Sequence, residues 1–287
     1  MTAGDAHRAP RLATPAGSCD CHMHVFDSRF PLPATAATPP PNATAGAYLE
    51  LRRNLGLERV VVVQPNGYRF DNGCTLDAMA DFGPETRGIA IVPPTVADFE
   101  LERMHVAGIR GVRYFLLPGG ALGIDTLATM AARIAPLGWN INLQLDGREL
   151  PLHEALLSGL PCKLVIDHNG KFLEPVAIDD PAFRVLLRLM DRGNCWVKLS
   201  APYETSRSGP PHYADVGALA RTMVKAHPDR CLWASNWPHT GEREIPSTAA
   251  LLDLLLEWAP DEATRRKVLV ENPAVVYGFA ENALAPE

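Results

Sequence analysis

Eight short apolar or alternating runs recur along the chain roughly every thirty residues, and the segments between most of them carry a helical period. The runs span 20–26, 59–64, 88–92, 109–115, 140–145, 163–167, 195–200 and 231–235. Several are continuously β-branched, such as Val60-Val61-Val62-Val63, the pattern of a parallel strand buried on both faces. Between runs, Phe183, Leu186, Leu187 and Met190 fall on one helical stripe. So do Val216, Leu219, Ala220 and Met223, and again Leu251, Leu254, Leu255 and Trp258. Asp180-Pro181 reads as an N-cap followed by proline at the first helical position. Eight alternations without a composition break predict an α/β chain, a single (β/α)8 TIM barrel. A doubly wound open sheet would instead show a glycine-rich phosphate loop after its first strand; here that strand runs into two histidines.

Length and charge set the remaining bounds. At 287 residues the chain has room for one barrel, expected over residues 19–279, with a flexible arm at 1–18 and a tail at 280–287. A proline-rich segment, 31–41, reads as an extended loop over the barrel mouth, and 261–279 as one or two helices closing the barrel's end. A net charge of −6 argues against nucleic acid or an acidic membrane surface as partner. No apolar run approaches the ~20 residues of a membrane helix. Residues 1–18 lack the continuous apolar segment of a signal peptide, so a cytoplasmic protein with reduced thiols is expected. Cys162, Cys195 and Cys231 match no zinc spacing and read as buried, inert cysteines. The oligomeric state is left open.

In a barrel the active site is assembled at the C-terminal strand ends. His22 and His24 stand two residues apart on strand one, spaced to share a face. Two converging imidazoles can bind a divalent metal or hold a polarised carbonyl oxygen, the plain alternative being an exposed strand. Strand two ends in Gln64 and Asn66, strand four in Arg113, strand five in Gln144 and Asp146. Strand six ends in Asp167-His168-Asn169-Gly170-Lys171. Lys198, Ser200, Tyr203 and Glu204 follow strand seven, and Asn236, Trp237 and His239 follow strand eight. His168 closes an apolar run, where a histidine needs a partner. An arginine pointing into the mouth, as Arg113 would, calls for an anion such as a substrate carboxylate. Asp146, His153 and His212 read as scaffold or loop residues, and Arg207 sits on a loop where a solvated arginine is the bland alternative.

Taken in order, these pieces resemble the amidohydrolase superfamily, and within it the lactone-acting branch of pyrone-dicarboxylate lactonases and D-galactarolactone isomerases. The resemblance runs from Cys19 to Phe279. It is carried by His22-Met23-His24, Asp71-Asn72-Gly73-Cys74-Thr75-Leu76 and Gly111-Val112-Arg113. It continues through Asp167-His168-Asn169-Gly170-Lys171-Phe172, Asp191-Arg192-Gly193 and Tyr203-Glu204-Thr205-Ser206-Arg207, to Asn236-Trp237-Pro238-His239 and Val270-Glu271-Asn272-Pro273. Two departures stand out. The lactonase pattern ends strand eight with a water-activating aspartate, where this chain has Asn236; an amide cannot accept that proton. The isomerase pattern shares the asparagine but lacks the first histidine, kept here as His22. A second arginine of the lactonases, after strand four, is also missing: Leu117-Pro118-Gly119 occupies its place.

The resemblance implies an enzyme acting on the ester bond of a small carboxylated lactone. A lactonase is the first reading and a lactone isomerase working by intramolecular transesterification the second. A catalytically silent barrel that binds a carboxylated ligand is the third. In the expected site His22, His24 and His168 donate to the lactone carbonyl and its oxyanion, Asn236 orients the nucleophile, and Glu204 or a histidine moves the proton. Arg113, Lys171, Arg207, Tyr203, His239, Gln144 and Asn66 complete the substrate contacts. No cofactor is expected; zinc on the three histidines is the alternative.

Overall fold

The computed structural model describes residues 8–33 and 43–280. Eight parallel strands follow one another around a single sheet in the order β1 to β8. They are β1 (Cys19–Met23), β2 (Arg59–Val63), β3 (Thr86–Ala90), β4 (Ile109–Phe115), β5 (Asn140–Gln144), β6 (Lys163–Ile166), β7 (Cys195–Leu199) and β8 (Cys231–Trp233). Each expected run overlaps its strand, with ends that agree to within three residues. Several expected C-terminal residues, Leu145, Asp167 and Ser200 among them, lie just past the last ladder bond. They are strand ends in function, not in hydrogen bonding.

The helices lie between strands as the periodicity requires: α1 (Ala45–Asn54), α2 (Gly73–Phe82), α3 (Asp98–Val106), α4 (Leu127–Ile134), α5 (Leu150–Ser158), α6 (Pro181–Asp191) and α7 (Ala214–Ala226). Asp180 does cap α6, its carboxylate accepting from Ala182 N at 2.8 Å. The α7 stripe of Val216, Leu219, Ala220 and Met223 is buried throughout. After β8 come α8 (Thr248–Asp253), α9 (Leu255–Trp258), α10 (Glu262–Arg266), a π-turn over Lys267–Glu271, and α11 (Asn272–Tyr277).

Buried side chains separate into two sets. Val60 and Val62 pack outward against the helices. Val61 and Val63 join Cys19, Cys21, Ile89, Val165 and Leu232 inside the barrel, with Val276, Tyr277 and Phe279 of the closing segment packed on them. The guanidinium groups of Arg59 and Arg87 lie 5.2 and 4.7 Å from the centre of the Phe279 ring. Strand packing is close enough that a Cβ at Gly111 would meet the carbonyl oxygen of Asn140 at 2.6 Å.

The ring closes between β1 and β8 through His24 N donating to Trp237 O and Asn236 N donating to His22 O, each at 2.8 Å. Of the expected arm, residues 8–18 are described and lie against the barrel. Leu12 is buried, and the backbone N–H groups of Arg11 and Leu12 donate to the Asp253 carboxylate at 2.7 and 2.9 Å. The expected mouth loop falls largely on 34–42, and the tail from 281 onward, outside the described residues. No described helix is long and apolar enough to cross a membrane. All six cysteines are buried free thiols, and burial pushes Cys162 up to about 11.

Candidate active site

A cavity of about 650 Å3 opens at the C-terminal end of the barrel, lined by His24, Arg113, Gln144, His168, Lys171, Glu204 and Asn236, with Asn66 at its side. How His22 and His24 both face inward is decided by a bulge. In an unbroken strand they would lie opposite Cys19 and Cys21. Between Asp20 and Met23, β1 advances three residues while β2 advances two, from Val60 to Val62. The extra residue re-aims the strand. Asp20 pins the bulge: Oδ1 accepts from His22 N at 3.1 Å and Ser235 N at 2.9 Å, and Oδ2 accepts from Tyr48 Oη at 2.8 Å.

Below the cavity lies a fully buried charge cluster. Lys198 Nζ is 3.0 Å from His22 Nδ1, 3.1 Å from Asp167 Oδ1, and donates to Asn142 Oδ1. Its three protons therefore meet three acceptors. Asn142 Nδ2 donates to Asp167 Oδ2 at 2.8 Å. Burial favours a neutral Asp167 carboxyl, but the Lys198 ammonium beside it outweighs burial and holds the group well below the carboxylate range.

Burial and the Lys198 ammonium keep His22 neutral. Burial, with Arg113 adding to it, pushes His24 down to about 3. His24 Nδ1–H donates to Val63 O at 2.7 Å, so its Nε2 carries a lone pair. With Lys198 donating to His22 Nδ1, His22 Nε2–H is free to donate to His24 Nε2, 3.2 Å away. This corrects the expected trio of carbonyl donors. A neutral imidazole has one N–H, and those of His22 and His24 are spent inside the protein. His22 is 0% exposed and lies behind the cavity wall.

His168 is different. Ser200 Oγ lies 2.8 Å from its Nδ1 and a full 3.5 Å from the next acceptor, Lys198 O. Where the hydroxyl donates to Nδ1, the neutral ring keeps its one proton on Nε2, which is then a donor at the cavity wall. The chain reaches this position through four successive left-handed residues, His168, Asn169, Gly170 and Lys171, with φ of 53°, 56°, 88° and 49°. Three of them are not glycine, a strained turn that persists only where its surroundings fix it. Here Asn169 Nδ2 donates to Ser200 O at 2.8 Å, and Gly147 N to Lys171 O at 3.1 Å.

Opposite His168, Asn236 Nδ2 donates to Tyr203 Oη and to Glu204 Oε1, both at 2.9 Å. Tyr203 Oη in turn lies 2.9 Å from His239 Nδ1, and His239 Nε2 2.9 Å from Thr248 Oγ1. Burial pushes His239 down to about 3. Tyr203 and His239, expected as substrate contacts, are thus a bracket behind Asn236 and do not line the cavity.

Arg113 is buried, and its Nη atoms donate to Gln64 O at 2.8 Å and to Gln144 Oε1 at 3.1 Å. Its Nε has no partner, and no carboxylate pairs with it among the described residues. A buried guanidinium with only neutral acceptors is costly until an anion arrives. Gln144 positions this group, and Asn66 Nδ2 is occupied by Gly119 O at 2.7 Å. Arg207 is not at the site: its side chain is 73% exposed and pairs with Glu174. His212 pairs with Glu257 at the surface, and Asp146 with Arg148.

The sequence reading gave no role to Lys198 or Asp167, although a lysine within a buried strand was a legible signal. Arg69 and Glu242, which line the cavity from loops, left no such mark.

One buried group of donors has the spacing of metal ligands. His22, Asp167 and His168 offer atoms within 4.8 Å of one another. The Lys198 ammonium, however, already sits against both His22 Nδ1 and Asp167 Oδ1, and Asn236 stands where a further carboxylate would be needed. A dication added beside Lys198, with Arg113 also near, would meet a single carboxylate already neutralised. The residues present do not fit a metal.

The amidohydrolase family model matches residues 19–279. A D-galactarolactone isomerase of Agrobacterium fabrum is 37% identical, covering 94% of each chain. A 2-pyrone-4,6-dicarboxylate hydrolase of Comamonas testosteroni is 34% identical over 93% of this chain and 92% of its own. Among solved structures, an apo Agrobacterium tumefaciens protein superposes with a TM-score of 0.90 at 36% identity, covering 95% of this chain and 97% of that one.

Proposed function

The chain belongs to the amidohydrolase family, and from that premise we propose that it is a cytoplasmic enzyme acting on the ester bond of a small carboxylated lactone without a metal ion. The observation that carries the reading is the buried, unpaired Arg113 guanidinium facing the same cavity as the His168 Nε2–H donor. Arg113 holds a substrate carboxylate. His168 receives the carbonyl oxygen and stabilises the oxyanion as the tetrahedral adduct forms. The nucleophile stands at the Asn236–Glu204 end of the cavity.

Attack by water makes the enzyme a lactonase. A second reading rests on Asn236: its amide gives both protons to Tyr203 and Glu204 and has no base strength to offer water. A substrate hydroxyl attacking its own lactone carbonyl would then change ring size, a lactone isomerisation, and the 37% identical relative is named a D-galactarolactone isomerase. NMR on a panel of acidic lactones, with and without added zinc, separates the cases. Ring opening supports hydrolysis, ring-size change supports isomerisation, and zinc should alter neither. Ligand-induced stabilisation without turnover would overturn the enzyme reading in favour of a binding barrel.

A further inference from the structure

Asn236 leaves the site without the base that the lactonase pattern supplies, and a lysine, Lys171, stands at the cavity wall. We propose that Lys171 is the proton carrier of the reaction, taking the proton of the attacking hydroxyl and returning it to the departing ring oxygen, with Glu204 as the counter-charge of its ammonium form. The inference rests on the lactone-acting function above and assigns Lys171 a role other than the substrate anchoring expected from the sequence.

Geometry supports it in three ways. Lys171 is 7% exposed yet lines the cavity together with His168, three residues before it. Its Nζ is in direct contact with Glu204 Oε2, which has no other partner among the described residues, while Glu204 Oε1 is held by Asn236 Nδ2 at 2.9 Å. The strained left-handed turn over residues 168–171 delivers the carbonyl donor and the amine to the same wall. A strained backbone held by fixed partners is a feature of functional sites.

The charged groups facing the amine are Asp167, Glu204 and Glu242, which favour its ammonium form, and Arg113, which opposes it. Burial is the largest influence, and the amine is pushed down to about 8. Near neutrality it can therefore both accept and release a proton.

In the step itself the Nζ lone pair takes the hydroxyl proton as that oxygen bonds to the lactone carbonyl carbon. The carbonyl π pair moves onto the oxygen facing His168 Nε2–H. Collapse breaks the bond from the carbonyl carbon to the ring oxygen, and the ammonium protonates the departing alkoxide. No other reactant is needed, whether the hydroxyl belongs to water or to the substrate.

The test begins with Lys171→Ala and Lys171→Arg. Both should lower kcat by about 10²- to 10⁴-fold with little change in KM, and the limb of the wild-type kcat profile that rises through pH 8 should vanish. Small primary amines should rescue Lys171→Ala at rates graded by amine pKa. An anchoring lysine behaves otherwise: KM rises, Lys171→Arg restores it, and rescue does not follow amine pKa. That pattern overturns the proposal. Because the chain has five lysines, ¹³Cε-lysine NMR can follow Lys171 directly, assigned by its loss in Lys171→Arg. A midpoint well below the ordinary 10.5 is expected, and one at or above it overturns the proposal. If no lactone is turned over by the wild type, the function fails while this titration still decides whether the amine is poised.

Discussion

At the scale of single residues, the site's chemistry follows from which N–H groups are already spent. With Ser200 donating to its Nδ1, His168 is the imidazole with a donor left for substrate, so His168→Ala should lower kcat by about 10²- to 10³-fold with the fold intact by circular dichroism. Wild-type turnover would remove it from the site. Asn236 is the residue whose replacement tests the missing base. Asn236→Asp places a second carboxylate 2.9 Å from Glu204 Oε1, where the amide now donates. Two carboxyl groups that close share a proton. Hydrolysis should therefore rise above wild type only as the pH climbs past neutrality. A gain already complete at pH 6 in the pH–rate profile would contradict this account.

The decisive element is β1. Its bulge brings Cys19 and Cys21 into the barrel floor and His22 and His24 into the upper layer, although alternation alone would place the two pairs on opposite faces. Asp20 holds the bulge and the β1–β8 seam at once, so Asp20→Ala leaves Ser235 N, His22 N and Tyr48 Oη without their acceptor. Lost hydrogen bonds to a buried carboxylate predict about 3 kcal/mol or more of destabilisation, measurable by urea unfolding, with turnover falling as the seam loosens. Unchanged stability would mean that the bulge is set by neighbouring strands. The histidine spacing was legible in the sequence; the bulge was not, since it depends on the register against β2.

For the whole molecule, the buried histidines couple stability to pH. His24 and His239 are held down to about 3 from 6.5 by burial, so in the folded state they stay neutral where the unfolded chain binds protons. Unfolding is therefore favoured as pH falls from 6.5 toward 3, by about 1.4 kcal/mol per pH unit for each such histidine. Urea midpoints should drop between pH 7 and pH 5, before most carboxylates titrate, and His239→Gln should flatten that slope. An unchanged slope in the variant would assign the acid sensitivity elsewhere. The sequence by itself determined the barrel, because eight apolar or alternating runs and the helical stripes between them can bury their apolar faces together in a closed ring. It also brought His168, Arg113, Lys171, Glu204 and Asn236 to one end, because strand ends share a rim. Only the tertiary structure decided what each can do. The Lys198–Asp167–His22 cluster, the bracket of Tyr203 and His239 behind Asn236, and the exile of Arg207 to Glu174 all arise from contacts between distant strands and loops. Protonation, tautomer and free donors are set by such contacts, and residue spacing carries no record of them.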